Sequence, residues 1–527
     1  MRSIKMLDCT LRDGGCVNDF NFGENYMHEI LNGLEKARID IIEMGYIDSE
    51  QGSRVGRTKY LNERDIARLL EKKNENITYV AMIDYGKYEP ELLEQCSGDS
   101  IDGIRLAFHK RDRKEAITWG RKILDRGYKL FMQPMTCLRY SDSELLDLID
   151  DVNSQLPETT AFYIVDSFGE MHSDDVSRLA YLIDNNLKSD IAMGLHAHNN
   201  LQFSYSNAVT LLDFSMNREL IFDSSILGMG KGAGNMNTEL FAEHLNTYEE
   251  KSYKIDPLLD VIDKVINQIR ENYSWGYSVE YYLSAKCHCT PSYAGYFYKK
   301  HMLSIGQIAE LLEKIDEEKK VSFDKKYADY LYFSYNAKKV DDTTTLSFLK
   351  EKISGNQILL IAPGRSVLTY QEKIEYMNAQ KNMVSISVNN LSVIKTDFIF
   401  VTKQSVWEEV ENCNCKFLVS SNVNTKEKKV MALNYANWAN WKGTHLDNSL
   451  IMLMNLLMAI DVKKVYLAGF DGFLSNSKEN YYDENLRRFV NLNQAQDRNR
   501  VIKEYLNSIK NRINIEFITP SLYEERG

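Results

Sequence analysis

Cysteine is scarce in this sequence: eight in 527 residues are too few for a scaffold stapled by disulfides. Two close pairs, Cys287/Cys289 and Cys413/Cys415, have one intervening residue each, and neither has the second CxxC partner of a structural zinc site. Reduced thiols of a cytoplasmic protein are expected. The start has no apolar run of signal-peptide length, and the longest apolar stretch, residues 450–460, is broken by Asn455 and falls short of the ~20 residues a membrane span needs. It reads as a buried helix. Basic charge is not in excess either. The 64 Lys and Arg against 75 Asp and Glu give a net charge of −11, which argues against a nucleic-acid or anionic-membrane partner and makes any anion site local. What remains, 44% hydrophobic and 26% charged residues, is a globular composition, and the length fits several domains, fewer if one is a large barrel.

Across the first 250 residues, β-branched and aromatic runs alternate with helical stretches. Strands are expected at residues 5–10, 40–46, 78–84, 103–108, 129–135, 160–166, 191–197 and 220–226. Segments such as 26–37 and 143–152 carry Leu and Ile at three- and four-residue spacings and read as helices. Eight βα units with near-continuously apolar strands predict a closed (β/α)8 TIM barrel.

Polar residues fall where such a barrel needs them, at the carboxyl ends of the strands. Arg12 and Asp13 follow the first strand, Glu43 lies near the end of the second and Asp84 ends the third. His109 follows the fourth, Gln133 and Thr136 end the fifth, Asp166 and Ser167 end the sixth, His196 and His198 end the seventh, and Asp223 lies in the eighth. Polar groups ending every strand imply one ring of loops around a single mouth. Ser167 and Asp84 read as turn or helix-cap residues, and Glu43, Gln133, Thr136 and Asp166 as candidate substrate contacts.

Within Gly194-Leu-His-Ala-His-Asn-Asn200, alternation along a strand points His196 and His198 the same way. With the Asp13 carboxylate they form a two-His, one-carboxylate set with open positions for a bidentate substrate. Asn235, in Gly228-Met-Gly-Lys-Gly-Ala-Gly-Asn235, adds a neutral oxygen. That loop lacks the Lys-Ser/Thr ending of a P-loop, so its glycines read as letting backbone pass close to the metal site.

Leu7-Asp-Cys-Thr-Leu-Arg-Asp-Gly-Gly15, the His-Ala-His-Asn-Asn segment and the glycine loop together resemble the signature elements of a metal-dependent superfamily. It contains pyruvate aldolases, such as 4-hydroxy-2-oxovalerate aldolase, and the acyl-CoA lyases and synthases, such as hydroxymethylglutaryl-CoA lyase and isopropylmalate synthase. The resemblance runs over about residues 1–300. It implies a carbon–carbon lyase or aldolase using Mn²⁺ or Mg²⁺, with Zn²⁺ or Co²⁺ as alternatives. Asp13, His196, His198 and Asn235 would be ligands; the two oxygens of an α-keto acid can chelate one cation, a Lewis acid that makes its methyl carbon an enolate donor, and Arg12 would be the catalytic guanidinium that stabilises the oxyanion. The sequence departs from the pattern at Cys16, where the hydroxy-oxovalerate aldolases carry a His proposed as the base. The acyl-CoA branches lose support because their own Cys and Glu-Gln signatures are absent. Pro291-Ser-Tyr-Ala-Gly-Tyr296 resembles an aldolase segment whose Tyr reaches the active site, which makes Tyr293 a candidate acid/base group with His109 in reserve.

The expected domains are a barrel over residues 1–256, a helical extension and linker over 257–345 with helices at 258–271 and 305–318, and a doubly wound, Rossmann-like domain over 346–527. In the extension, Glu317-Glu-Lys-Lys320 reads as a solvated helix face. In the last domain, strands are expected at 357–361, 384–388, 398–401, 416–420 and 465–469. The GxGxxG fingerprint is absent, which disfavours NAD. The Pro-Gly-x-Ser corner, Ser387-Val-Asn-Asn390 and the segment ending at Asp471 are similar to bacterial sialyltransferases and to related flagellin-associated and pterin-kinase-like domains. This implies a nucleotide or nucleotide-sugar near Gly364, Ser366, Asn389 and Asp471. The expected function is an aldolase acting on an α-keto acid and a sugar-derived aldehyde in surface-polysaccharide synthesis, with a homo-oligomer expected. The alternatives are a transferase whose working site is the last domain, or a metal-binding barrel impaired by Cys16.

Overall fold

The computed structural model describes residues 3–49, 55–300, 302–426, 430–439, 447–474, 480–483 and 492–524. Eight parallel strands form the first sheet: β1 (Ile4–Asp8), β2 (Ile41–Ile47), β3 (Thr78–Asp84), β4 (Gly103–Phe108), β5 (Lys129–Pro134), β6 (Ala161–Asp166), β7 (Ala192–Ala197) and β8 (Leu220–Ser224). Each pairs with its neighbours in chain order, and β1 pairs with both β8 and β2, Leu7 opposite Ile41 and Asp223, so the sheet closes into a barrel. A two-residue strand, Lys59–Tyr60, pairs with the end of β2.

The strands are buried on both faces, outside by the connecting helices and inside by the side chains that fill the barrel, which is why their sequences are apolar almost throughout. The helix Glu24–Ala37 shows the rule. Met27, Ile30, Leu31, Leu34 and Ala37, spaced three or four apart, are its buried stripe, and Arg38 ends it in a left-handed conformation. Leu34 is fully buried, and its replacement by Ala costs about 2–5 kcal/mol. Helix Asp142–Gln155 begins at a Ser141/Glu144 capping box.

The chain divides into two compact units, Met1–Gly295 with Asp316–Phe323 and Tyr296–Ile315 with Asp324–Gly527, so the helical segment after the barrel is shared between them. The helix expected over 258–271 is Asp256–Val261, a π segment Ile262–Ile266 and Asn267–Arg270. The one expected over 305–318 is two helices, Ile305–Glu313 and Glu317–Lys320. In the last of these Glu317, Glu318 and Lys319 are exposed, as a solvated face requires, and Lys320 is buried, its Nζ 2.5 Å from Glu317, so its charge is paired.

The second unit holds a seven-stranded, all-parallel sheet: β9 (Gln357–Ile361), β10 (Met383–Val388), β11 (Phe398–Val401), β12 (Phe417–Ser420), β13 (Met431–Leu433), β14 (Lys464–Ala468) and β15 (Asn514–Phe517). The spatial order is β13-β12-β11-β10-β9-β14-β15, a doubly wound arrangement whose direction reverses between β9 and β14. Helix Ser449–Ala459, from the longest apolar run, is buried in this unit. Among the described residues no helix is long and apolar enough to cross a membrane.

Candidate metal centre at the barrel mouth

The end of β7 places His196 and His198 on one side, and the turn after β1 brings Asp13 to them. One ligand atom from each lies within 4.8 Å of the others, and all three residues are buried. Asn235 Nδ2 donates to Asp13 Oδ2 across 2.7 Å, and the Lys231 backbone N–H donates to the same oxygen across 3.2 Å. His196 Nδ1 lies 2.9 Å from Asp223 Oδ2. A carboxylate this close to Nδ1 favours the tautomer that leaves Nε2 with its lone pair, as in an oriented metal ligand. Asn235 Oδ1 and His198 Nδ1 are buried without a hydrogen-bond partner. Orphaned buried polar atoms of this kind are costly unless something binds them, and two nitrogens, a carboxylate and an amide oxygen suit a divalent cation.

The electrostatics agree with that use. Burial alone would raise the Asp13 carboxyl, but the His198 imidazole, the Arg12 guanidinium and His196 outweigh it and hold Asp13 well below the usual carboxylate range. Burial pushes the His198 imidazole down to about 4, so it is neutral at pH 7, as a ligand must be. Arg12 is buried beside them. Its Nε donates to Glu43 Oε2 and its Nη1 to Asp13 Oδ1, each across 2.8 Å, while Nη2 is buried without a partner. Burial opposes its charge, yet Glu43 and Asp13 keep it firmly protonated.

The glycine loop is built around this cluster. A Cβ on Gly230 would fall 2.3 Å from Asn235 Nδ2 and 2.5 Å from Asp13 Oδ2. Gly234 has a left-handed φ of +83°, and a Cβ there would fall 1.9 Å from the Gly228 carbonyl oxygen. An isolated antiparallel bridge joins His198 to Asn235, so the loop is tied to the end of β7.

The other expected residues are placed unevenly. Glu43 is fully buried; its Oε2 accepts from both Arg12 and Arg105, while its Oε1 is buried without a partner. Gln133 is buried with an unpartnered Nε2. Thr136 sits at a left-handed φ of +55°, its hydroxyl donating to the Met135 carbonyl. Both Asp166 oxygens accept backbone N–H groups, of Glu170 and Met171, at 3.0 Å, so this carboxylate fixes the turn after β6. His109 is half-buried with an unpartnered Nδ1, and burial with the nearby Arg111 lowers its pKa.

Cys16 is exposed. The protein around it and the Asp13 carboxylate still push the thiol up to about 12, so it is no thiolate near neutral pH. Tyr293 is fully buried. Its hydroxyl donates to the Ser322 carbonyl across 3.3 Å and its ring packs edge-on against Phe323.

The sequence reading missed Arg105 and Tyr46 and gave Asp223 no role. Arg105, fully buried in β4, donates to Glu43 across 2.7 Å and to Asp223. The Tyr46 ring lies 5.9 Å from the Arg12 Cζ. A single charged residue inside an apolar strand is the one signal that marked Arg105.

In the second unit, Gly364, Asn389 and Asp471 line one cleft with Lys403, Ser449 and Arg498. Gly364 follows β9 and Asp471 follows β14, where the strand order reverses. A Cβ on Gly364 would fall 2.1 Å from the Gly469 oxygen. Ser366 donates through both its backbone N–H, across 2.8 Å, and its hydroxyl to Asp471. Asn389, at a left-handed φ of +50°, accepts from the Thr402 N–H across 2.8 Å and donates to Ser449.

Comparison with known proteins fits this architecture. Residues 105–265 match the HMGL-like family model. The chain is 28% identical over 298 residues to a 4-hydroxy-2-oxovalerate aldolase of Pseudoalteromonas translucida, 53% of this chain and 83% of that one. It is 25% identical over 288 residues to the same enzyme of Marinomonas sp., 52% and 82% of the two chains. An N-terminal domain from Bacteroides vulgatus superposes with a TM-score of 0.50 at 24% identity, covering 56% of this chain and 96% of that one. The carboxyl transferase domain of Rhizobium etli pyruvate carboxylase gives a TM-score of 0.51 at 12% identity, covering 66% and 65%. These two structural likenesses concern the fold.

Proposed function

We propose that the barrel, a metal-dependent carbon–carbon lyase with an HMGL-like domain, makes or cleaves its bond through the enolate of pyruvate or a related α-keto acid. The observation that carries the reading is the pairing of an Asp13/His196/His198 cluster with an adjacent Arg12 whose Nη2 has no protein partner. A divalent cation at the cluster supplies Lewis acidity toward a keto acid's two oxygens. Arg12 Nη2 donates to the keto oxygen as negative charge grows on it, in a site from which burial excludes water. Gln133 Nε2 is the donor available to the substrate carboxylate.

Cleavage of a 4-hydroxy-2-oxo acid then needs a base for the 4-hydroxyl. As that proton leaves, the C3–C4 bond breaks, the aldehyde departs, and the electron pair passes to the enolate, which a proton quenches at C3. His109 is the base: it follows β4, is neutral near pH 7 and has a free Nδ1. The cleft of the second unit is assigned to a nucleotide or nucleotide-sugar, supported by its place at the strand-order reversal. It fits an aldehyde partner derived from a sugar in surface-polysaccharide synthesis.

Protein stripped with EDTA is expected to release pyruvate from 4-hydroxy-2-oxo acids only after Mn²⁺ or Mg²⁺ is restored, and His196→Ala is expected to abolish the release. Activity indifferent to both overturns the reading. Calorimetric titration of the full chain with CMP and UDP derivatives tests the cleft, and no heat above dilution removes that assignment.

A further inference from the structure

Arg105 interrupts the apolar run Gly103-Ile-Arg-Leu-Ala-Phe108 of β4, and it is fully buried. Its Nη1 donates to Glu43 Oε2 across 2.7 Å, and the same oxygen accepts from Arg12 Nε across 2.8 Å. Its Nη2 donates to Asp223 Oδ2, which lies 2.9 Å from His196 Nδ1. A continuous path of contacts therefore runs from His196 through Asp223, Arg105 and Glu43 to Arg12. The guanidinium also lies 5.0 Å from the centre of the Tyr163 ring, and that ring occupies the space a Cβ on Gly194 would take. The groove that holds Arg105 is thus shaped on two strands.

Stability alone does not explain this arrangement. Desolvating a guanidinium and two carboxylates is expensive, and well-packed Val, Leu or Ile would fill the same layer of a barrel at no such cost. The bridge does give two functional groups fixed orientations. Asp223 Oδ2 lies 2.9 Å from His196 Nδ1, against the edge of the ring, and Glu43 holds the Arg12 fork so that Nη2 stays free. Two guanidiniums, Arg12 and Arg105, face three carboxylates, Asp13, Glu43 and Asp223, so the cluster has an excess negative charge to offer a cation.

We propose that Arg105 is a positioning residue that couples the metal ligand His196 to the Arg12 guanidinium through the buried Asp223–Arg105–Glu43 bridge. The inference rests on the reading of the barrel as a metal-dependent lyase. Its consequence is that disturbing the bridge at one end changes both cation affinity and the orientation of Arg12. Lys retains the charge, but an ammonium lacks the planar fork that spans two carboxylates.

The test uses the full chain as Arg105→Lys, Arg105→Met and Asp223→Asn, with Mn²⁺ affinity read by electron paramagnetic resonance and pyruvate methyl-proton exchange read by NMR. Asp223→Asn should raise the Mn²⁺ Kd about 10- to 100-fold, as loss of an outer partner of a ligand does. Arg105→Lys should raise that Kd about tenfold and lower the exchange kcat about 100-fold, with the pyruvate KM within about threefold, because a misplaced Arg12 is felt in the transition state. In the Arg12→Lys/Arg105→Lys double variant the losses should be less than additive. A folded Arg105→Lys protein with wild-type Kd and kcat overturns the proposal, whatever its melting temperature. Should Arg105→Met fail to fold, the other two variants decide. Absence of exchange in the wild type would count against the lyase reading, while the Mn²⁺ affinities would still report on the bridge.

Discussion

Asn235 donates its side-chain N–H to Asp13 across 2.7 Å, and this contact leaves the Asn235 oxygen buried with no protein partner. The amide thus fixes one metal ligand and presents another atom of the same kind. Asn235→Ala removes both effects. Mn²⁺ affinity should fall about 10- to 100-fold, measured by equilibrium titration, with the fold preserved. Unchanged affinity would remove Asn235 from the ligand set.

Gly230→Ala tests the same cluster through the backbone. Its methyl group would fall 2.3 Å from Asn235 Nδ2 and 2.5 Å from Asp13 Oδ2, so the loop must shift. The stability cost should be about 1–3 kcal/mol, whereas Mn²⁺ binding should be largely lost. Thermal melts with and without Mn²⁺ separate the two: the wild type should gain melting temperature on adding the ion and the variant should not.

The buried His198 has a sign that pH can read. Burial pushes its pKa down to about 4 from the usual 6.5. Between these values the unfolded chain binds a proton that the folded chain does not, so this residue costs stability as pH falls from about 6.5 toward 4. Metal-free His198→Gln lacks that term. Going from pH 7 to pH 4.5, wild type should lose roughly 2 kcal/mol more stability than the variant in urea melts. Parallel pH curves would contradict the assignment.

Cys16 and His109 exchange the roles that position alone suggests for them. With its thiol pushed up to about 12, Cys16 supplies no base, so Cys16→Ala should keep the rate of 4-hydroxy-2-oxo acid cleavage within about threefold. His109→Gln should lower the rate of 4-hydroxy-2-oxo acid cleavage by about 10²- to 10⁴-fold with Mn²⁺ affinity unchanged. The reverse pattern in single-turnover kinetics would return the base to Cys16.

The barrel was legible because strands buried on both faces leave continuous apolar runs, and all eight lie within two residues of their expected ends. β13 and β15 escaped notice. Met431–Leu433 is three residues long, and Asn514-Ile-Glu-Phe517 alternates polar and apolar at the sheet edge, which gives little signal. The His196/His198 pair could be read from strand alternation, and Asp13 from barrel closure. Tyr293 could not be placed by the same means: it is one tyrosine among many on helices, and which ring turns inward depends on packing with Ser322 and Phe323. Glu43 and Asp166 lie at strand ends as expected, but only the three-dimensional contacts reveal that arginines and backbone amides already engage them. Arg105 was hidden for a related reason, since the path from Asp223 to Glu43 joins residues 180 positions apart in the chain.

Deuterium exchange into the methyl group of pyruvate is the most direct test, because it reports enolate formation without knowledge of the aldehyde. The full-length protein with Mn²⁺ should exchange the methyl protons in D₂O, followed by proton NMR. EDTA, His196→Ala and Arg12→Lys should each suppress the exchange. A protein that binds Mn²⁺ yet leaves the pyruvate methyl signal unchanged over many hours, or exchanges it equally well in EDTA, would contradict the account.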